Sequence, residues 1–195
     1  MRSFKLIVAL AAAFAVAGAA VAHAQSKKPG AGAKYGKPIA EADIAPWDID
    51  IRTPDGKGLP AGSGTVAQGK ELYAAKCLPC HGPDGKAGDQ VGALFGGVGS
   101  FTTATRVLTP GSMYPYAAIL FDYTRRSMPM TAPQTLNNNE VYALSAYILF
   151  LNGLVKEDAV MDAKSLPAVQ MPNRGGFIVD DRPDTKAVRC MKDCM

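Results

Sequence analysis

Three stretches of this chain carry apolar residues at helical spacing, and they lie between two flanks in which no such period is sustained. Thr65-Val66-Ala67-Gln68 reads as a capping box, the threonine side chain taking a free N-terminal amide while Gln68 reaches back to the cap. It predicts a helix from Val66 to about Lys76, with Gly69, Leu72 and Tyr73 on one face. A glycine inside a helix costs about 1 kcal/mol against alanine, a cost that a close helix crossing at Gly69 offsets. A second helix is predicted from Pro115 to near Arg125, with Ile119, Leu120 and Tyr123 on its inner face. The third begins at Asn137, with Glu140 as its third helical residue, and ends near Asn152-Gly153, where glycine takes the left-handed cap. Val141, Leu144, Ile148 and Leu151 form its buried stripe, which is too short to span a bilayer.

The flanks differ in kind. Arg2 and Lys5 precede an uncharged run from Leu6 to Val21, and Ala22-His23-Ala24 places small residues around a cleavage point before Gln25. Residues 1–24 therefore read as a secretory signal peptide, not a permanent anchor, and the mature chain is expected in the periplasm. Cleavage leaves 171 of the 195 residues and lowers the formal charge from +4 to +2, since Arg2 and Lys5 leave with the leader. No basic block remains, which argues against nucleic acid as a partner. Residues 25–65 and 155–195 are rich in Pro, Gly, Asp and Lys and lack the apolar content for cores of their own. They are expected as extended arms on either side of a domain at 66–154. Trp47, Ile49 and Ile51 in the first arm, and Met171-Pro172 and Phe177-Ile178-Val179 in the second, are candidate contacts with this domain or with a partner.

The chemistry sits at the end of the first predicted helix. Cys77-Leu78-Pro79-Cys80-His81 has the spacing of a haem c attachment signature, in which each thiol adds to a haem vinyl group and the adjacent imidazole binds iron. A zinc site would need a second ligand pair, and the only other thiols, Cys190 and Cys194, are more than a hundred residues away at the wrong spacing. A thioredoxin-like dithiol would need a strand pattern that the flanks lack. Haem is attached to such proteins outside the cytoplasm, so motif and leader predict each other. One covalently bound haem is expected, with Cys77 and Cys80 as anchors and His81 as proximal ligand.

Once His23 leaves with the leader, His81 is the only histidine, so a second imidazole ligand is excluded and a methionine thioether is expected. Of Met113, Met128, Met130, Met161, Met171, Met191 and Met195, the favoured ligand is Met128, whose backbone Pro129 fixes in the loop before the last helix, with Met130 as the alternative. Cys190 and Cys194 are expected to form a disulfide that pins the tail in an oxidising compartment. Arg125 and Arg126, close to Met128, are candidates for a distal acid/base group, with haem-propionate pairing or a solvated rim as the plainer alternatives.

These features resemble the class I cytochrome c family over residues 66–154. The resemblance implies an all-α fold of about three main helices, the first and last packed crosswise. Many members carry a Gly-Pro pair whose carbonyl orients the proximal imidazole; here that region reads Gln90-Val91-Gly92-Ala93-Leu94. Ala45-Pro46-Trp47-Asp48-Ile49-Asp50, Phe121-Asp122-Tyr123-Thr124-Arg125-Arg126, Asp162-Ala163-Lys164-Ser165-Leu166-Pro167, Met171-Pro172-Asn173-Arg174 and Cys190-Met191-Lys192-Asp193-Cys194 further resemble the SoxD-type cytochrome subunit of sulfane dehydrogenase, and more loosely the haem partners of sulfite dehydrogenases. That resemblance implies a molybdenum-cofactor subunit as electron donor and a downstream cytochrome or oxidase as acceptor. Its best-known members carry a second haem domain, whereas this sequence has one attachment motif. The expected role is electron transfer, with the chain not itself the catalyst; a general soluble shuttle and an open-site haem sensor or peroxidase-like enzyme are the alternatives.

Overall fold

The computed structural model describes residues 36–86 and 91–181. The leader and the Cys190/Cys194 pair lie outside these residues. The chain divides after Trp47 into two compact units. In the first, a short helix α1 (Glu41–Ile44) buries none of its residues, and Trp47 is 85% exposed.

In the second unit, from Asp48 onward, strand β1 (Ser63–Thr65) leads into helix α2 (Val66–Lys76). The predicted box closes it: Thr65 Oγ1 accepts from the Gln68 N–H at 3.2 Å and Gln68 Oε1 accepts from the Thr65 N–H at 2.9 Å. Helix α3 (Leu78–His81) follows, then a 3-10 turn (Pro83–Gly85), helices α4 (Pro110–Met113), α5 (Ala117–Ser127) and α6 (Asn138–Leu151), strand β2 (Val160–Asp162) and helix α7 (Ser165–Ala168).

Helix α6 is the centre of the core. Every residue from Val141 to Leu149 is buried, not only the predicted stripe, because α2, α5, the strands and the returning C-terminal segment cover it from several sides. Gly153 takes φ 69°, the left-handed cap expected of it. Helix α2 crosses α6 at Gly69, where an added Cβ would stand 1.9 Å from the Ala143 carbonyl oxygen. The close crossing expected from sequence is thus present. Tyr73 packs beside it on Tyr147, ring centroids 5.4 Å apart, and Phe121 of α5 meets Tyr142 at 4.5 Å.

Glu140 ties the two crossing helices together. One oxygen accepts from the Asn137 N–H at 2.8 Å to complete the α6 capping box, and the other accepts from Lys76 Nζ at 2.8 Å. The lysine contact first, then the Asn137 amide, lowers the Glu140 pKa from its ordinary 4.5. A carboxylate with a lowered folded-state value contributes stability that is complete above the ordinary value and is lost as the pH falls through the lowered one. Glu140→Gln is therefore expected to lower Tm modestly at neutral pH and to flatten its decline below pH 4.5. Parallel acid limbs for the two proteins would contradict this role.

Three features depart from the sequence reading or decide what it left open, each for a physical reason. The helical architecture carries a small antiparallel sheet, β1 with β2, in the register Ser63↔Asp162, Gly64↔Met161 and Thr65↔Val160. Strands of three residues are too short to show a two-residue period. The segment beyond residue 154 also enters the core, burying Met161, Leu166, Val169 and Met171, and Ile51 and Leu59 pack on the same core from the other flank. Those residues are irregularly spaced, so only their tertiary partners reveal their burial. Third, α5 turns Ala117, Ala118, Leu120, Phe121 and Thr124 inward and leaves Tyr123 half exposed, so its inner face is rotated from the predicted one. Pro115 stands before the Tyr116 cap, and α5 runs to Ser127.

Candidate haem site

The attachment turn is built by one residue with two roles, since Cys77 closes α2 and caps α3. Its carbonyl accepts from the N–H groups of Cys80 at 3.2 Å and His81 at 2.9 Å, and Leu78 O accepts from the Gly82 N–H at 2.9 Å. Pro79 sits in the first turn, where its missing N–H costs no helical bond. Residues three apart on such a turn share one side, so the backbone puts both cysteines on one face. Both thiols are free and half-buried. Burial pushes the Cys77 thiol up to about 11, which favours its neutral form.

His81 follows on the same turn. Burial lowers its pKa and favours the neutral imidazole that a metal requires. Its Nδ1 is buried with no hydrogen-bond partner among the described residues. Leu94, in the region that replaces the usual Gly-Pro pair, is engaged elsewhere: its N–H donates to Gly85 O at 2.8 Å and its carbonyl accepts from Asn152 Nδ2 at 3.0 Å.

A tyrosine braces the turn. The Tyr73 hydroxyl donates to Gly82 O at 2.7 Å in a buried setting, which pushes its pKa up to about 12, and Tyr147 beside it reaches Asp84 Oδ1 at 3.3 Å. Sequence placed Tyr73 on the inner face of its helix but gave no sign of this bond, which depends on the chain turning back at Gly82. Tyr73→Phe leaves that carbonyl without its donor and is expected to cost about 1–3 kcal/mol, read as a lower midpoint in urea. An unchanged midpoint would show that the bond carries no stability.

The methionines fall into distinct settings. Met161 and Met171 are core residues at 5% and 3% exposure. Met113 is half-buried at the end of α4. Met128 is half-buried at the C-terminal end of α5, its N–H still donating to Thr124 O at 3.0 Å, and its peptide bond to Pro129 is cis. Met130 is 65% exposed. Met191 and Met195 lie outside the described residues. Arg126 pairs with Asp122 and Asp50, whereas Arg125 makes no ion pair among the described residues.

These residues suit a haem on two counts: a turn offering two thiols and an imidazole, and a buried ring nitrogen without a hydrogen-bond partner among the described residues. Leu78 in the turn, Tyr123 on α5, Met130 after it, and Val98, Val107 and Leu108 in the intervening loop are all exposed. A separate cavity of about 740 Å³, lined by Ala67, Lys70, Ala74, Phe95, Tyr147 and Phe150 among others, includes none of Cys77, Cys80, His81 or Met128.

The helical fold and the Cys77–His81 turn define the class as a c-type cytochrome, a haem-bearing electron-transfer protein. A profile of the family described as cytochrome C oxidase, cbb3-type, subunit III matches residues 64–148. A chain of the sulfane dehydrogenase SoxCD from Paracoccus pantotrophus, known from its crystal structure, superposes with a TM-score of 0.71 at 39% sequence identity, over 84% of this chain and 82% of that one. The chain belongs to the SoxD-type family of cytochromes. No helix among the described residues is long and apolar enough to cross a membrane.

Proposed function

We propose that this chain is the haem subunit of a periplasmic, molybdenum-dependent dehydrogenase that oxidises a sulfane or sulfite-type substrate. It takes electrons one at a time from the molybdenum-cofactor subunit and passes them to a downstream cytochrome or oxidase. The observation that carries this reading is the 39% identity to a sulfane dehydrogenase chain across 84% of the sequence, a match that extends beyond the haem domain into the flanks.

Within the site, Cys77 and Cys80 would hold one haem by thioethers, with His81 as the proximal ligand and Met128 as the distal one, Met130 being the alternative. When bound, the haem supplies a ferric/ferrous couple. The chain would hold the imidazole through the α3 turn and offer a soft thioether from Met128, a donor that raises the reduction potential and keeps outside ligands from the iron. Residues 1–24 direct export and are cleaved at Ala24/Gln25, residues 66–154 form the haem-binding region between segments 25–65 and 155–195, and a Cys190–Cys194 disulfide pins the tail.

Purification of the complex from its native periplasm tests the reading. A molybdenum subunit is expected to accompany the cytochrome, and sulfite or thiosulfate to reduce its haem. Isolation of the cytochrome alone, with no reduction by either compound, would return the chain to the role of a general shuttle.

A further inference from the structure

Arg126, near the end of α5, and Asn173, in the C-terminal flank, both hold the α4–α5 segment that leads to Met128. Arg126, two residues before Met128, donates from Nε to Asp122 Oδ1 at 2.8 Å and from Nη2 to both Ile49 O and Asp50 Oδ1 at 3.0 Å. Its fork is thus engaged by the protein. The Asp50 carboxylate is 89% exposed, so that ion pair contributes little by itself. The charge-assisted bond to the Ile49 carbonyl is stronger and joins chain segments 77 positions apart. Ile49 is half-buried and Ile51 packs on the core, so the segment that Arg126 holds is itself anchored.

The opposite end of α5 is held from the other flank. Asn173 Nδ2 donates to the carbonyl of Met113 at 2.8 Å, at the end of α4, and the Arg174 guanidinium stacks over the Tyr116 ring at 5.2 Å, at the α5 cap. Met171 anchors this segment at 3% exposure. Between the two grips lies a helix about 16 Å long. The Met128 N–H still belongs to its hydrogen-bond ladder, so the backbone of Met128 moves with α5.

We propose that the two flanks grip α5 at both ends and so keep the Met128 thioether on the iron, with Arg126 and Asn173 as positioning residues. This rests on Met128 being the distal ligand. The flanks are then working parts of the redox site as well as surfaces available to a partner. A loosened helix raises the fraction of time the thioether is off the iron, which an outside ligand reports directly.

The test is carbon monoxide binding to the ferrous full-length cytochrome, together with the red-region sulfur-to-ferric-iron band, in Arg126→Gln, Arg126→Lys, Asn173→Ala and Met128→Ala. Asn173→Ala is expected to bind carbon monoxide about tenfold faster, the effect of losing one hydrogen bond of ordinary strength, and Arg126→Gln, which gives up the bonds to Asp122, Asp50 and Ile49, at least tenfold faster. Far-UV circular dichroism is expected to stay unchanged. Arg126→Lys keeps the charge but not the fork and is expected to fall between wild type and Arg126→Gln, so the comparison survives should the glutamine variant fold poorly. Wild-type rates in Arg126→Lys and Asn173→Ala, alongside immediate binding in Met128→Ala, would overturn the grip and leave the ligand standing. Retention of the sulfur–iron band in Met128→Ala would overturn the ligand and the grip with it.

Discussion

Gly69→Ala is expected to be among the most destabilising single substitutions in the chain. Alanine is the better helix former by about 1 kcal/mol, so on an isolated helix the change would stabilise. Here the new Cβ would stand 1.9 Å from the Ala143 carbonyl oxygen, 2.6 Å from its carbon and 2.7 Å from Tyr147 Cβ. Two of these three are backbone atoms of the most buried helix and cannot swing aside, so α2 and α6 must separate along their crossing. Overpacking of this kind costs about 3 kcal/mol or more where the backbone must move, which outweighs the propensity gain. For a chain of this size, that corresponds to a Tm lower by about 6–12 °C. Because α2 runs directly into Cys77, a displaced α2 is also expected to reduce the yield of haem-loaded protein. A Tm within a degree or two of wild type would mean that the crossing is looser than described.

Met128→Ala is expected to have the largest effect on the haem. The substitution removes the soft donor assigned to the distal side, so the red-region sulfur–iron band should vanish, carbon monoxide should bind the ferrous protein rapidly, and the reduction potential should fall. Met130→Ala should leave all three unchanged, in keeping with a side chain that is 65% exposed. The reverse pattern, with the band lost in Met130→Ala and kept in Met128→Ala, would move the ligand two residues along the loop. Loss of helix content in Met128→Ala is not expected, because this side chain is only half-buried and the residue lies at the C-cap of α5.

The parts of the fold legible in sequence are those governed by neighbouring residues. The Thr65/Gln68 box set the start of α2 and the Asn137/Glu140 box that of α6, and Gly153 marked where α6 stops. Each device works within four residues and leaves a mark that no tertiary contact can move. The inner face of α5 was harder to read. Tyr123 and Ile119 are as apolar in composition as Phe121 and Ala118, and only the position of α6 decides which pair turns inward. The Thr109/Ser112 capping box of α4 is as local, but it opens a helix of only four residues and so carries no apolar period to mark it.

The candidate chemistry is written in the chain: the thiol and imidazole spacing of Cys77, Cys80 and His81 and the short list of methionines follow from which residues are present and how far apart they stand. Where the flanks pack, the engagement of Arg126 by Asp50, Asp122 and the Ile49 carbonyl, and the bracing of Gly82 by Tyr73 are visible only once the chain is folded. The reason is the range of the interactions. Caps, turns and attachment motifs are fixed by bonds between near neighbours, whereas the burial of Met171 or the reach of Arg126 depends on which distant segment the fold brings alongside.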